Sequence, residues 1–289
     1  MTTDTQKRSL SIVIPAKNEA AAIGDVVKRA KEAFPDAELI VVDDGSEDET
    51  GSLAELAGAT VRRHPVSLGN GAAVKSGARA ATGELIAFMD ADGQHSADDL
   101  AALLDRMDEG FDMVVGARNA GGHANVGRLF ANGLYNQIAT AMSGQRIADL
   151  TSGFRVVKAD LFKRFLYLLP NGFSYPTTIT MAFLRSGFPI DFVPIKVEKR
   201  EGKSHIRPIR DGIRFLVIIF KIATLYSPLK IYVPVSAAFF VTGLAYYAYT
   251  SFTLGRFTNM SMLIFSASVI IFLIGLISEQ ITALTFSRS

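Results

Sequence analysis

Short apolar runs alternate with amphipathic stretches over residues 9–200. Leu10–Ile14, Glu38–Val42, Thr60–Arg63, Glu84–Met89 and Met113–Gly116 read as strands, each a brief run rich in apolar and branched side chains. Between them Ala20–Phe34, Glu47–Ala57, Gly71–Ala81 and Ala97–Met107 carry the helical repeat. The β-α-β-α order predicts a mostly parallel sheet covered by helices on both faces. In such sheets ligands bind outside the carboxyl ends of the strands, near the point where strand order reverses.

The pattern changes after residue 205. From Pro208 to Leu225, Arg207, Arg210, Arg214 and Lys221 fall within roughly 60° of a helical wheel, opposite Ile209, Ile213, Leu216, Phe220 and Ala223. This predicts an amphipathic helix over 206–228, lying in a headgroup layer with its cations toward lipid phosphates. Ile231–Leu254 and Phe257–Ser278 then run for 24 and 22 residues without a charge, separated by Gly255 and Arg256. At about 1.5 Å per residue either run exceeds a hydrocarbon layer of about 30 Å. Residues 229–289 therefore read as a two-helix transmembrane hairpin, and 1–205 as a separate globular domain. Nine cations from Lys196 to Lys230 precede the first span, and only Arg256 lies between the spans. The positive-inside rule then places the domain and both termini on the cytoplasmic side of a plasma (inner) membrane.

Composition narrows the chemistry. The absence of cysteine excludes disulfides, thiolate zinc sites and cysteine nucleophiles. The segment Met1–Ser9 is polar and does not read as a signal peptide. A net charge of +2 is uninformative about nucleic acid, and no such partner is expected. The excess lies in hydrophobic content, at 49%.

The strand ends carry the candidate site. The first leads into Pro15-Ala16-Lys17-Asn18-Glu19, the second into Asp43-Asp44-Gly45-Ser46 and the fourth into Asp90-Ala91-Asp92-Gly93-Gln94-His95. Asp is an ordinary cap and turn residue, and Ser46 would serve as the cap of the second helix. Carboxylates converging from three strands nevertheless repel one another unless a cation or ligand offsets them. Asp90 and Asp92, two residues apart on a turn, suit a hard divalent cation that keeps positions open for phosphate oxygens. An EF-hand is excluded, since its twelfth position would need Glu and Ala101 stands there. His64, His95, His123 and His205 show no paired metal spacing. Gly69-Asn70-Gly71 resembles a dinucleotide loop but does not follow the first strand; it brings backbone close to a nucleotide or starts a helix. Downstream stand Arg118, Arg128, Asp149, Arg155, Lys199, Arg200 and Lys203.

Together these segments, with Gly116-Ala117-Arg118, Ser152-Gly153-Phe154-Arg155 and Gly202-Lys203-Ser204, resemble glycosyltransferase family 2, in its polyprenyl-phosphate glycosyltransferase branch. The resemblance implies a GT-A (Rossmann-like) fold and an inverting enzyme. It would move one sugar from a nucleotide diphosphate sugar to polyprenyl phosphate at the cytoplasmic membrane face. By motif position Pro15, Lys17, Glu19, Val42 and Asp44 would hold the nucleoside. Asp90 and Asp92, with Ala91 between them and Gln94 beyond, would bind Mg²⁺ or Mn²⁺ on the diphosphate. Arg118, Arg128, Arg155, Arg200, Lys203 and Ser204 would face donor or acceptor phosphates, with Arg128 and Arg155 counted as catalytic. Lys17 stands where mannose synthases tend to carry Tyr, which favours a UDP-hexose over GDP-mannose. His205 replaces the usual final Lys of the basic motif. A processive polysaccharide synthase would need a tryptophan-containing motif, and the chain has no tryptophan. A non-enzymatic sugar-nucleotide binder that recruits a flippase is the other alternative, and relatives make a homo-oligomer the reasonable assembly.

Overall fold

The computed structural model describes residues 8–118, 139–172, 174–195 and 227–287, with positions 133, 136, 137, 217, 220 and 224 between them. The elements of the domain are β1 (Leu10–Ala16), α1 (Ile23–Ala33), β2 (Glu38–Asp43), α2 (Thr50–Leu56), β3 (Thr60–Arg63), α3 (Asn70–Ala80), β4 (Leu85–Phe88), α4 (Ala97–Asp108), β5 (Met113–Arg118), β6 (Arg155–Lys158), α5 (Ala159–Arg164), α6 (Tyr175–Arg185) and β7 (Ile190–Ile195). The strands form one sheet in the order β3-β2-β1-β4-β6-β5-β7. β1 pairs in parallel with β2 and β4, with Val13 opposite Ile40 and Phe88. Strand order therefore reverses between β1 and β4, which opens the crevice expected of this class of sheet.

Alternation along β1 explains both helical layers. Ile12 and Ile14 enter one core with Val27 of α1, Ala54 of α2 and Leu103 of α4. Val13 enters the other with Val74 of α3, Phe162 of α5 and Phe183 of α6. All three β1 side chains are fully buried, each contributing about 1.5–3 kcal/mol of transfer free energy.

Two strands escape the sequence pattern. β6 is four residues long and antiparallel to both β4 and β5. β7 carries Pro194, which an edge strand tolerates, and pairs in parallel with β5. The antiparallel β6 matters because its first residue, Arg155, lies opposite Phe88 at the carboxyl end of β4. The loop before β6 thus arrives at the edge where β1, β4 and β5 finish.

Two further helices follow, α7 (Leu229–Leu254) and α8 (Asn259–Ser287). Gly255, left-handed at φ 61°, ends α7. α8 begins at Asn259 rather than Phe257, because Thr258 Oγ1 accepts from the Ser261 N–H as an N-cap does. The helices are joined by reciprocal hydrogen bonds of 2.9 Å between the hydroxyls and carbonyls of Ser236 and Ser268. Both are long and apolar enough to cross a membrane, and only 11% of the most apolar window of α7 is buried, unlike a core helix. Of the expected amphipathic helix, positions 217, 220 and 224 are helical; Arg207, Arg210, Arg214 and Lys221 lie outside the described residues.

Candidate active site

The β1 and β2 ends are tied together by short polar side chains. Asn18 adopts a left-handed φ of 54°, a conformation Asn tolerates, and its backbone N–H donates to Ser46 Oγ at 3.0 Å. Asn18 Oδ1 accepts from the Glu47 N–H at 2.9 Å, and Thr50 Oγ1 from the Glu19 N–H at 2.9 Å. Ser46 therefore does not cap α2, which starts at Thr50 with the Thr50 N–H on Asp48 Oδ1. Pro15, on β1 opposite Val42, and Glu19 are half-buried, while Lys17 is exposed. Lys17 borders a cleft of about 530 Å³ with Asp43, Ser46, Arg63 and Ser67.

Asp44 sits behind this cleft rather than in it. Buried, it accepts from His64 Nδ1 at 2.7 Å, Ser67 Oγ at 2.8 Å and the backbone N–H groups of Leu68 and Gly69 at 2.9 and 2.8 Å. A carboxylate only accepts, so the His64 proton is on Nδ1, and Nε2 faces Ser76 Oγ at 2.8 Å. Burial alone would raise the Asp44 pKa; the bonds from His64, Leu68, Ser67 and Gly69 outweigh it and hold the group below its ordinary value. Asp44 thus pins the segment 64–69 over the end of β2. Val42 is fully buried beneath α3, so its side chain belongs to the core and not to an open nucleoside surface. The glycine-rich segment starts α3 at Asn70, and the close packing of Gly71 against the Pro170 carbonyl leaves no room for a Cβ.

The β4 end forms a turn in which Asp92 Oδ1 accepts from the Gln94 N–H at 3.2 Å, with Gly93 at φ 74°. Asp90, Asp92 and Gln94 are partly exposed, whereas Ala91 is buried, so Ala91 offers only backbone to a ligand. The Asp90 side chain is 47% exposed, and His95 Nε2 lies 3.5 Å from its Oδ2. The His95 ring stacks on Phe154 at 4.3 Å between centroids. Among the described residues no group of three or more His, Cys, Asp or Glu side chains forms a metal cage. Two accessible carboxylates on one turn instead fit a hard cation that completes its shell with water and phosphate oxygens.

Beside this turn stands Arg118, at the end of β5. Asp149 receives Arg118 Nε at 2.7 Å, Nη2 at 3.0 Å and its backbone N–H at 3.3 Å. Burial would raise the Asp149 carboxyl, but the Arg118 bonds outweigh it and hold the pKa low. Burial works against the Arg118 cation, and the bonds it donates to Asp149, with a smaller contribution from the charge of Asp90, raise its pKa nonetheless. Arg118 is 40% exposed, so a cation remains available next to Asp90. Gly116 sits two residues earlier because Phe154 packs against it; a Cβ there would lie 2.5 Å from Phe154 Cδ1.

Arg155 corrects an expectation. It is fully buried, with Nη1 donating to Thr180 Oγ1 at 3.1 Å and the Pro176 carbonyl at 3.3 Å, and Nη2 to the Ser152 carbonyl. Burial lowers its pKa, and its donors hold the 152–154 loop and α6 together rather than facing a phosphate. That loop places Gly153 over Asp90, where a Cβ would lie 3.6 Å from Oδ1 and 3.3 Å from the Tyr175 hydroxyl. Arg128, Arg200, Lys203 and Ser204 lie outside the described residues. Tyr175 escaped sequence reasoning, and so did the contacts of His64 and Phe154, since only the tertiary fold brings these side chains to the surroundings of Asp44 and Asp90.

A mostly parallel sheet with carboxylates at its switch point and a C-terminal apolar hairpin defines a GT-A-type protein with a membrane-associating appendage. Residues 11–166 match the profile of glycosyl transferase family 2, more than half of the chain, and the chain belongs to that family of glycosyltransferases. Residues 227–284 match the GtrB C-terminal hairpin. Glycosyltransferase AglJ of Haloferax volcanii is 31% identical over 252 residues, covering 84% of this chain and 82% of that protein. Polyprenol monophosphomannose synthase of Mycolicibacterium smegmatis is 32% identical over 206 residues, covering 66% and 77%. Glucosyl-3-phosphoglycerate synthase from Mycobacterium tuberculosis, solved with Mn²⁺, uridine diphosphate and phosphoglyceric acid, superposes with a TM-score of 0.60 at 24% identity, covering 75% of this chain and 78% of that one. That likeness concerns the fold.

Proposed function

We propose that this glycosyltransferase moves one sugar, with inversion, from a nucleotide diphosphate sugar to polyprenyl phosphate at the cytoplasmic face of a membrane. The observation that carries this reading is the accessible Asp90–Asp92 turn at the switch point of a domain whose own chain continues into an apolar hairpin. The relative named polyprenol monophosphomannose synthase supports the acceptor class, and the uridine diphosphate and Mn²⁺ of the structural neighbour support the donor class and the metal. A UDP-hexose is the favoured donor, because Lys17 replaces the Tyr common in mannose synthases.

The division of labour follows from the residues. Asp90 and Asp92, with Gln94, would hold Mg²⁺ or Mn²⁺, and the bound ion would supply charge neutralisation for a departing diphosphate. Pro15, Lys17 and Glu19 border the nucleoside, and Asp44 and His64 hold segment 64–69 over it. Arg118, oriented by Asp149, meets a phosphate beside Asp90. A phosphate monoester has a second pKa of about 6 and is largely dianionic near neutrality, so no strong general base is required. Arg128, Arg200, Lys203 and Ser204 are assigned to donor or acceptor phosphates, with Arg128 and Arg200 on the acceptor side. Residues 1–205 form the catalytic domain, 206–228 the interfacial helix and 229–289 the membrane hairpin, with both termini cytoplasmic.

The test is transfer of labelled sugar to polyprenyl phosphate by the purified full-length protein, by its Asp92→Asn variant, and in chelator. Loss of transfer in both conditions, with the variant folded and membrane-bound, is expected. Full activity in either one sinks the metal assignment.

A further inference from the structure

The last apolar helix contains one carboxylate that the proposed chemistry does not use. No other Asp or Glu occurs from Leu229 to the C-terminus. Acidic side chains in such helices are costly and persist where they are paired. Glu279 lies about 30 Å along α8 from Asn259, at about 1.5 Å per residue, which puts it at the far edge of a hydrocarbon layer, beside the start of α7.

Its partners come from two different parts of the molecule. Glu279 Oε2 accepts from the backbone N–H of Leu229, the first residue of α7, at 3.3 Å and from Ser227 Oγ at 3.4 Å. It thereby satisfies a donor that every helix leaves unpaired at its start. Glu279 Oε1 lies 3.4 Å from Nη2 of Arg185, the last residue of α6, with both side chains largely buried. The first residue of α6 is Tyr175, whose hydroxyl lies 3.4 Å from the Gly153 carbonyl above Asp90. Arg155 grips the same helix at Pro176 and Thr180. An 11-residue helix, about 15 Å long, therefore connects the carboxylate turn to the hairpin. Apolar packing reinforces the junction, where Ile231 lies on the cluster of Met142, Leu150, Met181 and Leu184.

We propose that Glu279 is a positioning residue: its pair with Arg185 fixes the height and tilt of the active-site mouth over the membrane surface. The inference rests on the lipid acceptor proposed above. A lipid phosphate is confined to the headgroup layer, so a domain free to rock on its anchor presents the site at the wrong level. A short prenyl phosphate in solution imposes no such demand.

The experiment uses full-length protein in nanodiscs with two acceptors, a long-chain polyprenyl phosphate in the bilayer and a short, water-soluble prenyl phosphate. Glu279→Gln and Arg185→Gln should each lower the long-chain to short-chain ratio of kcat/KM by on the order of tenfold to a hundredfold, as misplacement does. The double variant should fall no further than the worse single one, because both changes remove one interaction. The chain has no cysteine, so spin labels at Leu56→Cys and Phe252→Cys, both exposed positions, report domain-to-hairpin distance directly. A narrow distribution in the parent should broaden in either glutamine variant. Equal loss on both acceptors, additive losses, or an unbroadened distribution overturns the proposal. A parent inactive on both acceptors instead overturns the functional reading, and the label distances then still decide the junction.

Discussion

Asp149→Asn removes the buried carboxylate that organises the end of β5. In the native chain Asp149 accepts three bonds from Arg118 and two from Thr151. A bond to a charged group is worth about 1.5–3 kcal/mol net, but bonds sharing one carboxylate are not additive. Arg118 is partly solvated and recovers some of the loss through water, so the expected destabilisation is about 2 kcal/mol rather than the full sum. At about 2–4 °C per kcal/mol for a domain of this size, unfolding should shift down by about 4–8 °C. The pH dependence has a definite sign. The folded pKa of Asp149 is depressed, so its stabilisation is fully present above the unfolded value of about 3.9 and is lost as pH falls through the folded value. Circular dichroism melts in detergent should therefore show a constant gap between parent and variant above about pH 5, closing below about pH 4. No gap at neutral pH, or a gap unchanged in acid, would refute the reasoning.

Two further substitutions probe the same edge. Gly116→Ala forces a methyl against Phe154 and Ile195, and should cost about 1–3 kcal/mol of stability in a denaturant titration and lower kcat by displacing the Phe154–His95 stack. His64→Ala removes one of the four bonds to Asp44, and should raise the donor KM more than it lowers kcat in initial-rate assays.

The parts of the fold legible in the sequence are those whose signal is local. β1, β2 and β4 are buried on both faces and so read as continuous apolar runs, and the uncharged stretches after Lys230 announce the hairpin by length. β6 was illegible because Arg-Val-Val-Lys is too short to show a period, and its antiparallel pairing is set by strands far away in the chain. Of the candidate site, the Asp90–Asp92 turn was readable because both carboxylates sit two residues apart at one strand end. Asp44 and Arg155 were visible as charged motif residues, but only tertiary packing shows that their polar atoms turn inward to Gly69 and Thr180. The link from Glu279 to Arg185 spans 94 positions, and no spacing rule reaches that far.

The central claim is tested most directly by product identity. Full-length protein in bilayers containing polyprenyl phosphate is offered a panel of labelled nucleotide sugars, and the lipid fraction is resolved by mass spectrometry. The account predicts a single sugar per lipid, linked through phosphate with inverted anomeric configuration and drawn from a UDP-hexose. A polymeric product, or no lipid product from any donor, would contradict it.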